Sequence, residues 1–202
     1  FNQDSKLASF LLMAQYTMSN RFSLTVNTRT DGSSKVGKNH RWGFFPSVSG
    51  SWTLWDQQQE RTRTASPLLQ AIDYMKLRAG YGLSGNLGGI DAYNSLQLVK
   101  PTGITNILGQ PGATFSTIRN ANPDLKWEVK HTLNVGLNAS FWQRRIALTL
   151  DYYYSKITDM LYLYDVPVPP FTYDKMLANL GTMRNSGLEI GFGITALHNQ
   201  DM

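Results

Sequence analysis

Residues 22–31 read "FSLTVNTRTD". Phe22, Leu24, Val26 and Thr28 take the even positions, and Ser23, Thr25, Asn27, Arg29 and Asp31 take the odd ones. Side chains alternate across a β-strand, so the segment carries one apolar face and one polar face. The apolar face needs cover. In a soluble sandwich a second sheet provides it. In an outer-membrane barrel lipid provides it, and the polar face lines a wet interior.

The same alternation recurs on both sides of this stretch. Upstream, Ala8, Phe10, Leu12, Ala14 and Tyr16 share a face, and a short "SNR" turn joins them to the opening strand. Downstream, "DGSSKVGKNHR" is a polar loop in which Asp31-Gly32 is expected to supply a left-handed turn. Trp42, Phe44, Pro46, Val48, Gly50, Trp52 and Leu54 then oppose Ser47, Ser49, Ser51 and Thr53. Pro46 cannot donate to a ladder and marks an edge or bulge. Residues 55–73 are a polar connection, with "SPLLQAID" expected to make one or two helical turns behind Ser66 as N-cap. Leu77, Ala79, Tyr81 and Leu83 alternate with Lys76, Arg78, Gly80 and Gly82.

A long Gly/Asn/Pro-rich region follows, and the clearest strand runs from Leu125 to Phe141. Leu125, Trp127, Val129, Leu133, Val135, Leu137, Ala139 and Phe141 form its apolar face, with His131 as the one polar misfit. Lys126, Glu128, Lys130, Thr132, Asn134, Asn138 and Ser140 form the polar face. After a tight "WQRR" turn, Ile146, Leu148, Leu150, Tyr152 and Tyr154 return, and Leu188, Ile190, Phe192 and Ile194 form a last strand.

Three features favour lipid over a second sheet. The alternation extends beyond the five or six residues usual in globular strands, toward the roughly 9–11 that cross a bilayer. Short turns lie at one end, and long loops at 32–41, 84–124 and 157–182 lie at the other. The connection at 55–73 is an exception on the short side. Tyr16, Phe22, Trp42, Trp52, Trp127, Phe141, Trp142, Tyr152 and Tyr154 cluster near strand ends, where interfacial girdles sit. The expected fold is therefore all-β, an antiparallel transmembrane β-barrel seen in part. About seven strands are read. Single-chain barrels close with an even number, so residues 1–202 are expected to be part of a larger barrel.

Composition agrees. Charged residues are only 16% of the chain, against about 25% in soluble domains. No run of about 18 apolar residues occurs that would make a transmembrane helix. The net charge of +5 is scattered and gathers on no stripe, so no nucleic-acid partner is expected. Cysteine is absent, which excludes disulfides and thiolate metal sites.

Chemistry-bearing motifs are weak. "GYGLSG" matches G-x-G-x-x-G at Gly80, Gly82 and Gly85, but no helix follows to hold a pyrophosphate. His40, His131 and His198 lack metal spacing. Asp151, Glu128 and Glu189 could be set against glycosidase carboxylates, but inward charges on a wetted wall explain them as well. No enzyme, cofactor or metal centre is expected. Parity instead nominates Arg29, Arg78, Lys126, Glu128, Lys130, Asp151 and Glu189 as lumen-facing residues. In the long loops Tyr93, Asn94, Tyr162, Tyr164, Phe171 and Tyr173 are candidates to touch cargo or a lid, since sugar rings stack on aromatics and bond to amides.

Five stretches in order resemble the SusC/RagA-like group of TonB-dependent outer-membrane transporters. They are "RTDGSSKVGKNHRWGFFPSVSGSW", "MKLRAGYGLSGN", "NPDLKWE", "LTLDYYYSKITDML" and "GTMRNSGLEI". Thr30, where the family often has a second basic residue, and the "WTLWDQQQERTRTASPLL" connection depart from its pattern. The resemblance implies the C-terminal part of a barrel of about 22 strands, a size that holds a plug. It also implies a plug domain and a TonB-contact segment outside this chain. The implied activity is energised import of a large oligosaccharide or peptide across the outer membrane of a Gram-negative bacterium. The implied partners are a SusD-like surface lipoprotein, the TonB energy-transducing complex and outer-membrane lipid. A passive porin or structural barrel, and a soluble β-sandwich binding module, are the rivals.

Overall fold

The computed structural model describes residues 4–58 and 71–195. Seven strands form one sheet in the order β1 (Leu7–Met18), β2 (Phe22–Ser33), β3 (Trp42–Asp56), β4 (Ile72–Asn86), β7 (Glu128–Phe141), β8 (Ile146–Thr158) and β11 (Thr182–Ile194). Every neighbouring pair is antiparallel. The strands span 12 to 15 residues, long enough to cross a bilayer at a tilt. The outer strands β1 and β11 run in the same direction.

The register keeps the apolar residues together. Val26, Val48, Tyr81, Leu133 and Tyr154 pair in succession across five strands. One row nearer the short turns, Leu24, Gly50, Ala79, Val135, Tyr152 and Leu188 do the same. This face is open. On interior strands Val48, Tyr81 and Tyr152 are 43%, 43% and 45% exposed, which is the reverse of a sandwich core. The polar misfit His131 lies on this face, and its Nδ1 is 2.9 Å from the Tyr81 hydroxyl. The pair satisfies each other's polar atoms on a face that is otherwise apolar.

The turn ends are built locally. Ser19 and Asn20 are both left-handed, with φ of 51° and 54°, and Arg21 N donates to Met18 O. Trp142, Gln143 and Arg144 are left-handed in succession, with φ of 51°, 58° and 62°. That turn is braced from the neighbouring strand, since Arg144 N donates to Asp73 Oδ2 at 2.7 Å and Trp142 N to Ala71 O at 3.2 Å. Asp73 lies in the connection read as polar linker; the strand already begins at Ile72, because its carboxylate is buried under this turn. The helical turns expected from Ser66 lie outside the described residues.

Three readings of the opposite end are corrected. Asp31-Gly32 does not turn the chain; β2 runs on to Ser33, and Gly32 leaves room for the indole of Trp42, which a Cβ there would approach to 2.8 Å. The segments read as long loops contain strands of their own. They carry a hairpin of β5 (Leu98–Ile107) and β6 (Gln110–Arg119), and a second of β9 (Leu161–Asp165) and β10 (Lys175–Asn179). Finally, Leu125 and Trp127 do not join the exposed apolar face of the sheet. The strand starts at Glu128, and both residues are buried with Val36, Phe45 and Ile90 in a core beneath the loops. Trp127 meets the Phe45 ring edge-on at 5.5 Å between centroids, and its Nε1 donates to Arg41 O.

Candidate functional site

The polar face is a wall of small and charged side chains. Across it Ser23, Ser51, Arg78, Gly136, Asp151 and Glu189 occupy one row. Arg78 Nη2 donates to Asp151 Oδ1 at 2.9 Å, to Oδ2 at 3.2 Å and to Asn138 Oδ1 at 3.1 Å. Arg78 and Asp151 belong to β4 and β8, with β7 between them. The bridge exists because Gly136 has no side chain: a Cβ there would collide with Asp151 Oδ1 and stand 2.8 Å from Arg78 Nη2. A shallow depression at this point is lined by Ser23, Thr25, Ser49, Lys76, Arg78 and Asp151.

Other candidates on this wall are placed singly. Arg29 Nε bonds Asp31 Oδ1 at 2.8 Å; the arginine is half exposed and the aspartate nearly buried. Glu128 Oε1 accepts from Asn86 Nδ2 at 3.0 Å. Lys130 stands beside Ser84 and Ile157, and Glu189 beside Asp151. Lys126 lies off the wall. It precedes the strand, and its Nζ bonds Asp159 Oδ1 at 2.8 Å among the loops. The G-x-G glycines are strand positions next to Ser49 and Ser47, with Gly82 approaching Ser47 Cβ most closely, and form no phosphate loop. Among the described residues no group of three His, Asp or Glu stands close enough to hold a metal.

The loop end is stitched together by asparagines. Asn120 Nδ2 donates to Tyr173 O at 2.6 Å and Lys175 O at 3.0 Å, and Asn122 Nδ2 donates to Leu177 O at 2.8 Å. Residues 173, 175 and 177 offer alternate carbonyls along the approach to β10 and one of its edges. Two amides therefore cover an edge that would otherwise be open for pairing. Asn179 returns the contact: its Oδ1 accepts Lys126 N, and its Nδ2 donates to Lys126 O and Asp159 O, all within 2.9 Å. The "NPDLKWE" motif is thus a clasp. Asn122 and Lys126 hold the second hairpin, Leu125 O accepts from Gly37 N at 2.7 Å, and Trp127 reaches Arg41.

On this clasped body the loop candidates separate. Tyr162 is well exposed, and Tyr164, Phe171 and Tyr173 are half-buried along the second hairpin. Tyr93 is half-buried with φ of 67°. Asn94 is buried, so its side chain faces the loop interior. The tip of the first hairpin is apolar and open, with Leu108 wholly exposed. At the second, the hydrogen bond and charge of Asp165 raise the Lys175 pKa above its ordinary value, with Asp165 Oδ1 3.0 Å away. Sequence reasoning missed Gly136, Asn120, Asn122 and Asn179. Their partners are remote in the chain, and the only local signal was the density of Asn and Gly.

Comparison with known proteins fits this geometry. TonB-dependent receptor P26 of Formosa agariphila is 33% identical over 94% of this chain and 18% of its own length. TonB-dependent receptor SusC of Bacteroides thetaiotaomicron is 30% identical over 96% of this chain and 19% of its own. The RagAB peptide importer in its open-open state superposes with a TM-score of 0.78 at 28% identity, over 98% of this chain and 20% of that one. The chain spans about a fifth of the length of the relatives it matches. The model of the family described as TonB dependent receptor-like, beta-barrel, matches residues 1–198. The sheet of long antiparallel strands agrees with a barrel of that kind, and the chain belongs to the TonB-dependent receptor-like β-barrel family.

Proposed function

We propose that the protein containing this chain imports a large nutrient, an oligosaccharide or a peptide, across the outer membrane of a Gram-negative bacterium, with energy from the TonB complex. One observation carries the reading: the long strands expose an apolar face over which the described residues place no second sheet, while the opposite face is lined by Arg78, Asp151, Lys76 and serines. A surface that is apolar outside and charged inside fits a wall between lipid and a wetted lumen. Family membership supports the TonB dependence, and similarity to the RagAB peptide importer supports a peptide as one of the two cargo classes.

The clasped loops support a surface lipoprotein of the SusD kind as partner. Loops held by Asn120, Asn122 and Asn179 present Tyr162, Tyr164, Phe171 and Tyr173 on a fixed body, as a docking or cargo surface requires. The test is uptake by cells carrying the full-length receptor, with labelled oligosaccharides and peptides offered separately. Uptake of one class should stop when TonB is removed. Uptake that persists without TonB would make the protein a passive porin.

A further inference from the structure

One row of the outward face breaks the apolar pattern. His131, Lys156 and Arg184 pair in succession across β7, β8 and β11, so three basic side chains stand side by side on adjacent strands. The row above holds Val129, Thr158 and Thr182, and the row below holds Leu133, Tyr154 and Ser186. None of the three rows contains an acid. Among the described residues no ion pair involves Lys156 or Arg184.

The height of this row decides what it meets. On the same three strands the apolar rows begin at Phe141, Ile146 and Ile194, beside the exposed Trp142. They continue through Ala139, Leu148 and Phe192, then Leu137, Leu150 and Ile190, then Val135, Tyr152 and Leu188. At about 3.3 Å per residue and a tilt near 40°, the basic row lies about 25 Å along the barrel axis from the first apolar row. That is the height of the lipid-facing band itself. The three basic side chains therefore stand at its upper rim, at the level of outer-leaflet headgroups. Tyr81, Tyr152 and Tyr154 lie just beneath, where aromatic residues mark the interface. Tyr81 also orients the histidine. When its hydroxyl donates to Nδ1, the ring proton sits on Nε2, which becomes a third donor beside the ammonium and guanidinium.

We propose that His131, Lys156 and Arg184 form a binding site on the outside of the barrel for the phosphate of an outer-leaflet lipid. Three donors without a carboxylate match a tetrahedral anion, and arginine binds phosphate in a forked geometry. Their position at the rim of the apolar band selects a lipid-borne phosphate, because the acyl chains then lie over Leu133, Val135 and Leu188. The inference rests on the barrel reading of the outward face and is independent of the cargo.

The test uses the full-length receptor in mild detergent. Lipid A bearing a phosphate, and the same lipid dephosphorylated, are titrated in and bound lipid is counted by native mass spectrometry. The wild type should retain the phosphorylated lipid preferentially. K156Q/R184Q should lose roughly tenfold or more of that affinity, since each cation near the membrane surface contributes appreciably to it. K76Q/K130Q, which removes the same charge from the inner wall, should bind as the wild type does. K156R/R184K should restore retention, which separates a lost site from a misfolded barrel. Equal retention of both lipids by the wild type, or unchanged retention by K156Q/R184Q, would overturn the site. Uptake that proves independent of TonB would leave it standing.

Discussion

Arg78 and Asp151 bond at 2.9 Å across a strand that places only the bare backbone of Gly136 between them. The pair joins three strands with one ion pair. Gly136→Ala should break it, because the added methyl occupies the path of the bridge. Both partners are partly exposed, so the expected loss is modest, about 1 kcal/mol. Urea unfolding of the full-length receptor in detergent measures it. Gly50→Ala is the control: a Cβ there meets nothing nearer than 3.6 Å and should cost little.

The assignment of faces is tested on one strand by two adjacent residues. Val135 belongs to the outward apolar row, and Asn134 lies on the inner wall. In the full-length receptor Val135→Arg should destabilise by about 2–4 kcal/mol, the cost of arginine facing mid-bilayer. Asn134→Arg should insert and fold normally. Equal yields of folded, heat-modifiable receptor would contradict the face assignment.

Removing the amide of Asn179 should loosen the loops without unfolding the sheet. Asn179→Ala leaves Lys126 N, Lys126 O and Asp159 O without their partner. Each buried unpaired group costs about 1–3 kcal/mol, but the damage is confined to loops outside the ladder. The variant should show faster protease cleavage between residues 159 and 181 in intact cells, with the thermal midpoint of the barrel nearly unchanged.

The sidedness of the ends can be read with thiol labels, because the chain contains no cysteine. Leu108→Cys, at the exposed tip of the first hairpin, should react with an impermeant maleimide on intact cells. Gln143→Cys, in the left-handed turn at the other end, should react only after the outer membrane is opened. The opposite pattern would invert the topology and remove Tyr162 and Phe171 from the cell surface.

What the sequence revealed depended on whether a strand has two unlike faces. β2, β7 and β8 each carry one apolar and one polar face, so their alternation is legible residue by residue. β5 is largely open to solvent on both sides and Pro101 and Gly103 interrupt its pattern, while β9 is only five residues long, so these hairpins left no periodic trace. Leu125 and Trp127 show a different limit. Periodicity reports that a side chain is apolar, and not whether lipid or a loop core receives it. Arg78 and Asp151 were each legible as residues of the polar face, but their bond was not, since nothing local marks two side chains separated by a third strand. The asparagine clasp was hidden for the same reason: Asn122 and Leu177 are neighbours only after the loops have folded back.

The first hairpin ends where it begins. Leu98 and Arg119 are register partners, so the chain enters and leaves this element at nearly the same place. Asn120 and Asn122, which fasten the loop body, come immediately afterwards and do not depend on what the hairpin contains. Residues 98–119 are thus an exchangeable cassette. A lineage, or an experimenter, can swap this tip for another while the clasp, the wall and the membrane-facing rows stay as they are.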